Sequence, residues 1–326
     1  WVGLLLGVFG GMIGGLIHAL ATVRFNVDHT ISGVAINILA LGGMRYLSEL
    51  AFVGQPGGGI SQSPKQQAPI PTFSTPFLAG GEIFGWKSPS ILGWLEDKGW
   101  FLISDLAGIT RGLVDNVSWA TILALALVPL SAWFLWRTRL GLRMRSSGEE
   151  PAAAESLGVR VVRLRYLGMA FSGAFAGLGG AYLSIVASSY YRQGQTAGRG
   201  FIGLATVIFG NWRPFGVLGG ATLFGFAEAL KLRSPSESLI ALFLFVSFIA
   251  GLFAIRSLYN RKAISGVVAI VATILFLLVY LTVEKVPDSL TQATPYAITL
   301  LVLATASQRL RPPAFAGKPW RPGSSH

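Results

Sequence analysis

RTRLGLRMRSSGEEPAAAESLGVRVVRLRY, residues 137–166, decides how the rest of the chain is read. It is a long polar run in a chain that is otherwise mostly apolar. Arg137, Arg139, Arg143 and Arg145 lead into it, and Arg160, Arg163 and Arg165 lead out. Between them lies the signature of a short helix. Ser147 precedes Glu150 by three residues, the spacing of a capping box, which predicts a helix N-cap at Ser147. Pro151 falls in the first turn, where its missing N–H costs little. Glu149 and Glu150 put negative charge at the positive end of the helix dipole. Ala152, Ala153 and Ala154 are strong helix formers, and Gly158 is placed as a left-handed C-terminal stop. About ten helical residues rise roughly 15 Å. That is too short to cross a bilayer and too short to be stable alone in water. Two readings follow. The arginines only fix the topology of a cytoplasmic loop, or the helix is a docking peg through which a soluble partner pushes on a membrane domain, its small Ala face allowing close approach.

The surrounding composition is that of a membrane protein. Of 326 residues, 52% are hydrophobic and only 12% are charged, where soluble domains carry about 25% charged residues. The fold class expected is all-α, a multi-pass bundle with eight or nine apolar segments: 2–23, 31–53, 116–136, 166–189, 215–232, 239–255, 264–283 and 293–307, with a shorter one inside 198–213. The chain reads as one transmembrane domain over 1–326. Because it starts at Trp1 within an apolar run, it also reads as lacking its N-terminal part. Residues 54–115 are an extracytoplasmic loop rich in Gly, Pro, Ser and Gln. In it, 90–106 has the pattern of a short interfacial helix with tryptophans at headgroup level. Residues 137–165 are the cytoplasmic loop. If every segment crosses, 198–213 included, sixteen of the 26 basic residues fall in short inner segments, as the positive-inside rule requires. The net charge of +12 therefore reflects topology and anionic lipid rather than nucleic acid. With no cysteine there is no disulfide frame and no thiolate chemistry.

Several residues within the spans stand out. Gly11, Gly14 and Gly15, and the row Gly173, Gly177, Gly179 and Gly180, suit close helix approach in lipid. His18 is either packed and hydrogen-bonded or a ligand. Asn37 is either an interhelical hydrogen-bonding group or part of a solute path. Arg45 and Glu49, four apart, can pair on one helix face. Glu228, three before Lys231, is either a paired interfacial carboxylate or a proton relay. The apolar part of 198–213, from Phe201 to Phe209, rises only about 14 Å as helix. Gly210, Asn211 and Pro214 at its end fit a broken helix of the kind that lines translocation sites. Phe201, Thr206 and Asn211 join Asn37 as candidate path residues. No phosphate-binding Gly-x-x-x-x-Gly-Lys-Ser/Thr loop occurs, no metal-ligand spacing occurs, and no pair of intramembrane carboxylates suggests acid–base catalysis. No catalytic residue is expected, so the driving force for transport must come from outside the chain.

GLRMRSSGEEPAAAESLGVRVVRLRYLGMAFSGAFAGLGGAYLS (141–184) and AGRGFIGLATVIFGNWRPFGVLGGATLFGFAEALKLR (197–233) closely resemble permease subunits of ABC importers. The resemblance is to the branched-chain amino acid/ribose-type permease superfamily, in its nucleoside and simple-sugar branch. TVRFNVDHTISGVAINILALG (22–42) and TPYAITLLVLATASQRLRPPAFAGKPW (294–320) fit the same branch. The resemblance implies a translocation path for nucleosides or related simple sugars in a prokaryotic inner membrane. It implies that Glu149, Glu150, Ala152, Ala153, Ala154, Leu157 and Gly158 form the coupling helix on a separate ABC ATPase. ATP and Mg would sit on that partner, with no cofactor on this chain. A second permease subunit, usually a paralogue, and an extracytoplasmic substrate-binding protein complete the implied machine. Branched-chain amino acid import by the same kind of machine and ion-driven secondary transport are the alternatives. Two departures stand: helices the family has upstream of residue 2 are absent, and an extra pair of spans, 239–284, interrupts the family pattern.

Overall fold

Apolar runs of bilayer length become helices of bilayer length. In the computed structural model, which describes residues 1–83, 86–100, 103–233, 235–259, 263–283, 310–321 and 323, α1 (Val2–Ala19) continues through a π-helical turn, Leu20–Arg24. α2 (His29–Phe52) starts at Asp28, whose carboxylate accepts the N–H groups of Thr30 at 2.7 Å and Ile31 at 3.2 Å. The loop after α2 holds β1 (Thr72–Phe73), β2 (Glu82–Ile83), β3 (Trp86–Lys87), α3 (Ile91–Asp97), α4 (Ile103–Val114) and β4 (Val117–Ser118). β1 pairs antiparallel with β4, and β2 with β3. Then come α5 (Trp119–Arg137), α6 (Arg139–Glu149), α7 (Pro151–Ser156) and α8 (Val161–Tyr182), the last continued by a second π-helical turn, Leu183–Ala187. α9 (Arg199–Phe209), α10 (Pro214–Arg233), α11 (Pro235–Tyr259) and α12 (Ala263–Thr282) follow. The chain divides into two compact units, Trp1–Arg199 with Pro313–His326, and Gly200–Pro312.

The first unit is built on the α1–α8 pair, whose backbones touch. A Cβ added at Gly11 would meet Gly177 Cα at 2.6 Å, and one added at Gly173 would meet Gly15 Cα at 2.9 Å. Gly7 faces Ala181 in the same way, at 2.5 Å. Of the glycines expected to pack closely, Gly14, Gly179 and Gly180 instead have nothing within 4 Å of an added Cβ. They lie off the contact stripe, which follows the i, i+4 row Gly7, Gly11, Gly15. Beside this seam Leu4, Ile70 and Ala120 form a small buried cluster with Leu178, Ala181, Tyr182 and Ile185 packed on it. His18 is hydrogen-bonded, its Nδ1 lying 2.9 Å from the Oγ of buried Ser32. Toward the other end, residues 61–66 run along 189–193: the N–H groups of Ser63, Gln66 and Gln193 donate to the carbonyls of Tyr191, Ser189 and Ser61 at 2.8–3.0 Å. Ser188, Tyr190, Arg192 and Gln195 line a polar hollow of about 290 Å³ there. Among the described residues the ion pairs are Arg111 with Glu96, at 2.8 Å, and with Asp115, at 3.6 Å. Arg45 and Glu49 do not pair, although their spacing allows it.

In the second unit α9 has eleven residues and rises about 16 Å, half of a hydrocarbon core. That length is as expected of the short apolar part of 198–213, which spans only as part of a longer or broken helix. The chain leaves α9 through a tight turn in which Asn211 and Trp212 take φ of 51° and 56°. α11 and α12 correspond to the segments 239–255 and 264–283, read from the sequence as an extra pair of spans. They lie against each other, with Phe243 and Phe276 stacked at 6.1 Å and the Ser247 hydroxyl donating to the Thr273 carbonyl at 3.0 Å. The span expected at 293–307 lies outside the described residues, and so does the side chain of Lys231, the partner expected for Glu228.

Candidate docking site

The site is assembled from the bottom of α5. Thr138 breaks the helix with φ −107° and ψ 153° and caps α6, accepting the Gly141 N–H at 3.0 Å. Gly141 is needed here because a Cβ would meet Leu135 Cα at 2.6 Å. Arg145 fastens α6 back onto α5: its Nε donates to the Leu135 carbonyl at 3.0 Å and its guanidinium lies over the Trp136 ring at 5.1 Å.

The capping box at Ser147 is not formed. α6 runs through Ser147 to Glu149, and the Ser147 hydroxyl donates back to the Met144 carbonyl at 2.8 Å. α6 already has its cap at Thr138, so the chain has no reason to start a new helix at Ser147. The next helix starts three residues later, with Glu150 in extended geometry (φ −144°, ψ 87°) and Pro151 in the first turn. α7 therefore has six residues, not ten. Its end is as the sequence predicts: Gly158 takes φ 80°, and the N–H groups of Gly158 and Val159 donate to the carbonyls of Glu155 at 2.8 Å and Ala154 at 3.0 Å.

α7 has two faces. Pro151 and Ala154 are buried, while Glu150, Ala153, Leu157 and Gly158 are exposed and Ala152 is half-buried. Leu157 is 84% exposed. Ala154 was grouped with the outward Ala face, and the structure corrects this: it is 4% exposed, in a small core with Val161 and Trp320, closed by Val159, Val162 and Phe315. What covers it is a segment far away in sequence. The Phe315 N–H donates to the Gly148 carbonyl at 3.0 Å. Glu149 accepts the Ala314 N–H at 3.3 Å, and Glu155 accepts the Gly323 N–H at 3.2 Å. Arg165 donates to the Lys318 carbonyl at 3.2 Å and lies over the Trp320 ring at 5.6 Å. Reading the sequence placed 309–321 only as a basic tail; no short-range signal links it to residues 165 positions earlier.

The candidate path residues are spread over both units. Asn37 is exposed on α2, in the first unit. In the second, Phe201 is 76% exposed, whereas Thr206 is buried against Gly220 and its hydroxyl donates to the Gly203 carbonyl at 2.6 Å. The Asn211 side chain accepts the Arg311 N–H at 2.7 Å. Thr206 and Asn211 thus have packing and turn-fixing roles in this unit. Among the described residues no group of three or more His, Asp or Glu side chains is placed to hold a metal ion.

Known proteins place the chain. The family model described as the permease component of branched-chain amino acid transport systems matches residues 1–251. The guanosine ABC transporter permease NupQ of Bacillus subtilis is 36% identical over 232 residues, covering 71% of this chain and 63% of that protein. The putative glucose ABC transporter permease TsgC13 of Haloferax volcanii is 35% identical over 243 residues, 73% of this chain and 63% of that one. The nucleoside ABC transporter permease NupC of Lactococcus lactis is 31% identical over 232 residues, with coverage of 71% and 63%. The chain thus spans less than two thirds of the length of these curated relatives. No solved structure matches it. With four described helices long and apolar enough to cross a membrane and a family match over most of its length, the chain belongs to the branched-chain amino acid transport permease family of multi-pass membrane transport components.

Proposed function

We propose that the chain forms one permease half of an ATP-driven importer for nucleosides or related simple sugars, and that α7 and the residues after it dock on a separate ABC ATPase. The observation that carries the docking reading is Leu157. It is 84% exposed in an arginine-rich segment outside the apolar spans, at the end of a helix whose other face is already covered. Together with exposed Glu150 and Ala153 it makes a small apolar centre with a charged edge, the composition of a protein contact. ATP and Mg belong to the partner ATPase, and this chain does no chemistry of its own. A second permease chain, a paralogue by the resemblance described above, and an extracytoplasmic binding protein complete the machine. The solute class is supported by the names of the relatives, two for guanosine or nucleosides and one for glucose.

Uptake of labelled guanosine, ribose, glucose and leucine is measured in cells lacking this gene and complemented with wild type or with Leu157→Asp. Wild type should restore uptake of a nucleoside or sugar, blocked by ATP depletion and indifferent to an ionophore. Leu157→Asp should abolish it with normal membrane levels. Restoration of leucine uptake alone overturns the solute. Uptake that an ionophore collapses, or that Leu157→Asp leaves intact, overturns the coupling reading.

A further inference from the structure

α7 is an unlikely helix to hold a position by itself. Six residues are well below the length at which helices persist in water, and Glu150 supplies no side-chain cap. A part that transmits force must nevertheless keep a fixed attitude. Its inward face rests on Val159, Val161 and Val162 of its own neighbourhood and, from far along the chain, on Phe315 and Trp320. Three backbone groups of the 313–323 segment, the N–H groups of Ala314, Phe315 and Gly323, are satisfied by Glu149, Gly148 and Glu155. Thus the last turn of α7, through Glu155, and the end of α6 just before it, through Gly148 and Glu149, are tied to one strap. Trp320, 6% exposed, fills the space between Ala154 and Val161. Arg165, at the foot of α8, holds the strap from the other side through the Lys318 carbonyl and the Trp320 ring. The strap thus joins the peg to the helix that crosses the membrane next.

We infer that residues 313–323 are a strap that sets the docking attitude of α7, with Trp320 and Phe315 as positioning residues, so that the ATPase meets a composite surface of α7 and strap; this rests on the docking reading above. Without the strap, α7 is free to tilt or melt. ATP hydrolysis by the partner then continues while less of each stroke reaches the permease.

The chain has no cysteine, so a reversible staple can be placed without background. A Cβ added at Gly148 lies 3.8 Å from the Pro313 Cβ, at the mean separation of about 3.8 Å in disulfides. Uptake per ATP hydrolysed is measured in vesicles containing the complete transporter for four variants. Trp320→Ala should lower the ratio at least fivefold. Trp320→Phe should restore it, since the indole N–H has no partner and the ring does the filling. The G148C/P313C staple should form on mild oxidation and leave uptake near wild type. In the Trp320→Ala background the same staple should recover at least half of the coupling when oxidised and lose it again on reduction. Wild-type coupling in Trp320→Ala overturns the strap, as does a staple that does not form, one that blocks uptake in the otherwise native protein, or one that brings no recovery. Leu157→Asp separates the two levels: if it uncouples while Trp320→Ala does not, only the strap falls; if neither uncouples, the docking reading falls with it.

Discussion

Gly11→Ala tests the glycine seam between α1 and α8 with one methyl group. The added Cβ would sit 2.6 Å from Gly177 Cα and closer still to the Gly173 carbonyl, where tolerated Cβ contacts begin near 3.4 Å. Both obstacles are backbone, so no side chain can swing away. The helices must separate by about 0.8 Å or more along a seam that also includes Gly7, Gly15 and Gly173. Losing that close approach forfeits dispersion contacts and Cα–H···O contacts at several positions at once, an overpacking cost of about 1–3 kcal/mol. Alanine returns about 0.5–1 kcal/mol in helix propensity. The net loss of ~1 kcal/mol lowers an apparent melting temperature by about 2–4 °C for a domain of this size. Gly14→Ala supplies the control. It gains the same propensity with nothing within 4 Å of the new methyl, so its melting temperature should hold or rise by about 1–3 °C. The assay is thermal unfolding in one detergent, followed by size-exclusion of a fluorescent fusion. Combining Gly11→Ala with Gly173→Ala should cost less than the sum, because one separation relieves both clashes. Equal shifts for Gly11→Ala and Gly14→Ala, or full additivity in the double variant, would refute backbone contact as the basis of the seam.

The other expectations are quicker to state. Gly141→Ala drives a methyl into Leu135 Cα and should destabilise by about 1–3 kcal/mol, read as a lower melting temperature together with reduced uptake. Ser32→Ala removes the buried hydroxyl beside His18 and should cost about 1–3 kcal/mol in the same melt, since the imidazole loses its partner. The Asp28 carboxyl is held below its ordinary pKa, first by the Ile31 N–H and then by the Thr30 N–H. A lowered folded pKa adds stability that is complete above the unfolded value, about 4, and is lost as pH falls through the folded one. The melting-temperature gap between wild type and Asp28→Asn should therefore shrink below about pH 4, and a gap constant down to pH 2.5 would exclude a charged cap. Glu150→Lys reverses charge on the outward side of α7 and should cut coupled uptake about tenfold, an interaction loss of ~1.4 kcal/mol, with protein levels unchanged on immunoblot.

The spans were legible because a bilayer imposes a length. Expected segments 2–23, 31–53, 116–136 and 166–189 correspond to candidate spans Val2–Arg24, His29–Phe52, Trp119–Arg137 and Val161–Ala187. Apolar run length alone sets such boundaries, whatever packs beside them. Which glycines touch was only half legible. Gly14 and Gly15 are adjacent in sequence but about 100° apart around the helix, and only the partner's position decides between them. The Ser147 cap failed for a similar reason. The capping-box pattern is local, but whether it is used depends on whether the preceding residues are already helical. Thr138 and the Arg145 anchor onto α5 had settled that. Least legible was the cover on Ala154. An alanine-rich helix with one small face reads as waiting for a partner protein, and the chain supplies that partner itself through Trp320.

The strap sharpens the question of what meets the opposite face. Large apolar side chains are exposed all along the spans, Leu5 at 59% and Ile38 at 66% among them, and lipid accounts for those, since hydrocarbon is their solvent. Lipid does not account equally well for Leu157. Seven arginines flank its helix and would favour an anionic membrane surface, but the exposed residues beside it include Glu150, which that surface repels. A helix lying on headgroups would also turn its apolar residues to one side and its acids to the other, whereas here the buried side of α7 is apolar and already occupied by Trp320. What is left outward is mixed: one leucine, one alanine, a serine, a glycine and the Glu150 carboxylate. That is the composition of a protein contact with a small apolar centre and a charged rim, and it is why Glu150→Lys should weaken coupling, where a lipid-bound helix would be strengthened by the same change.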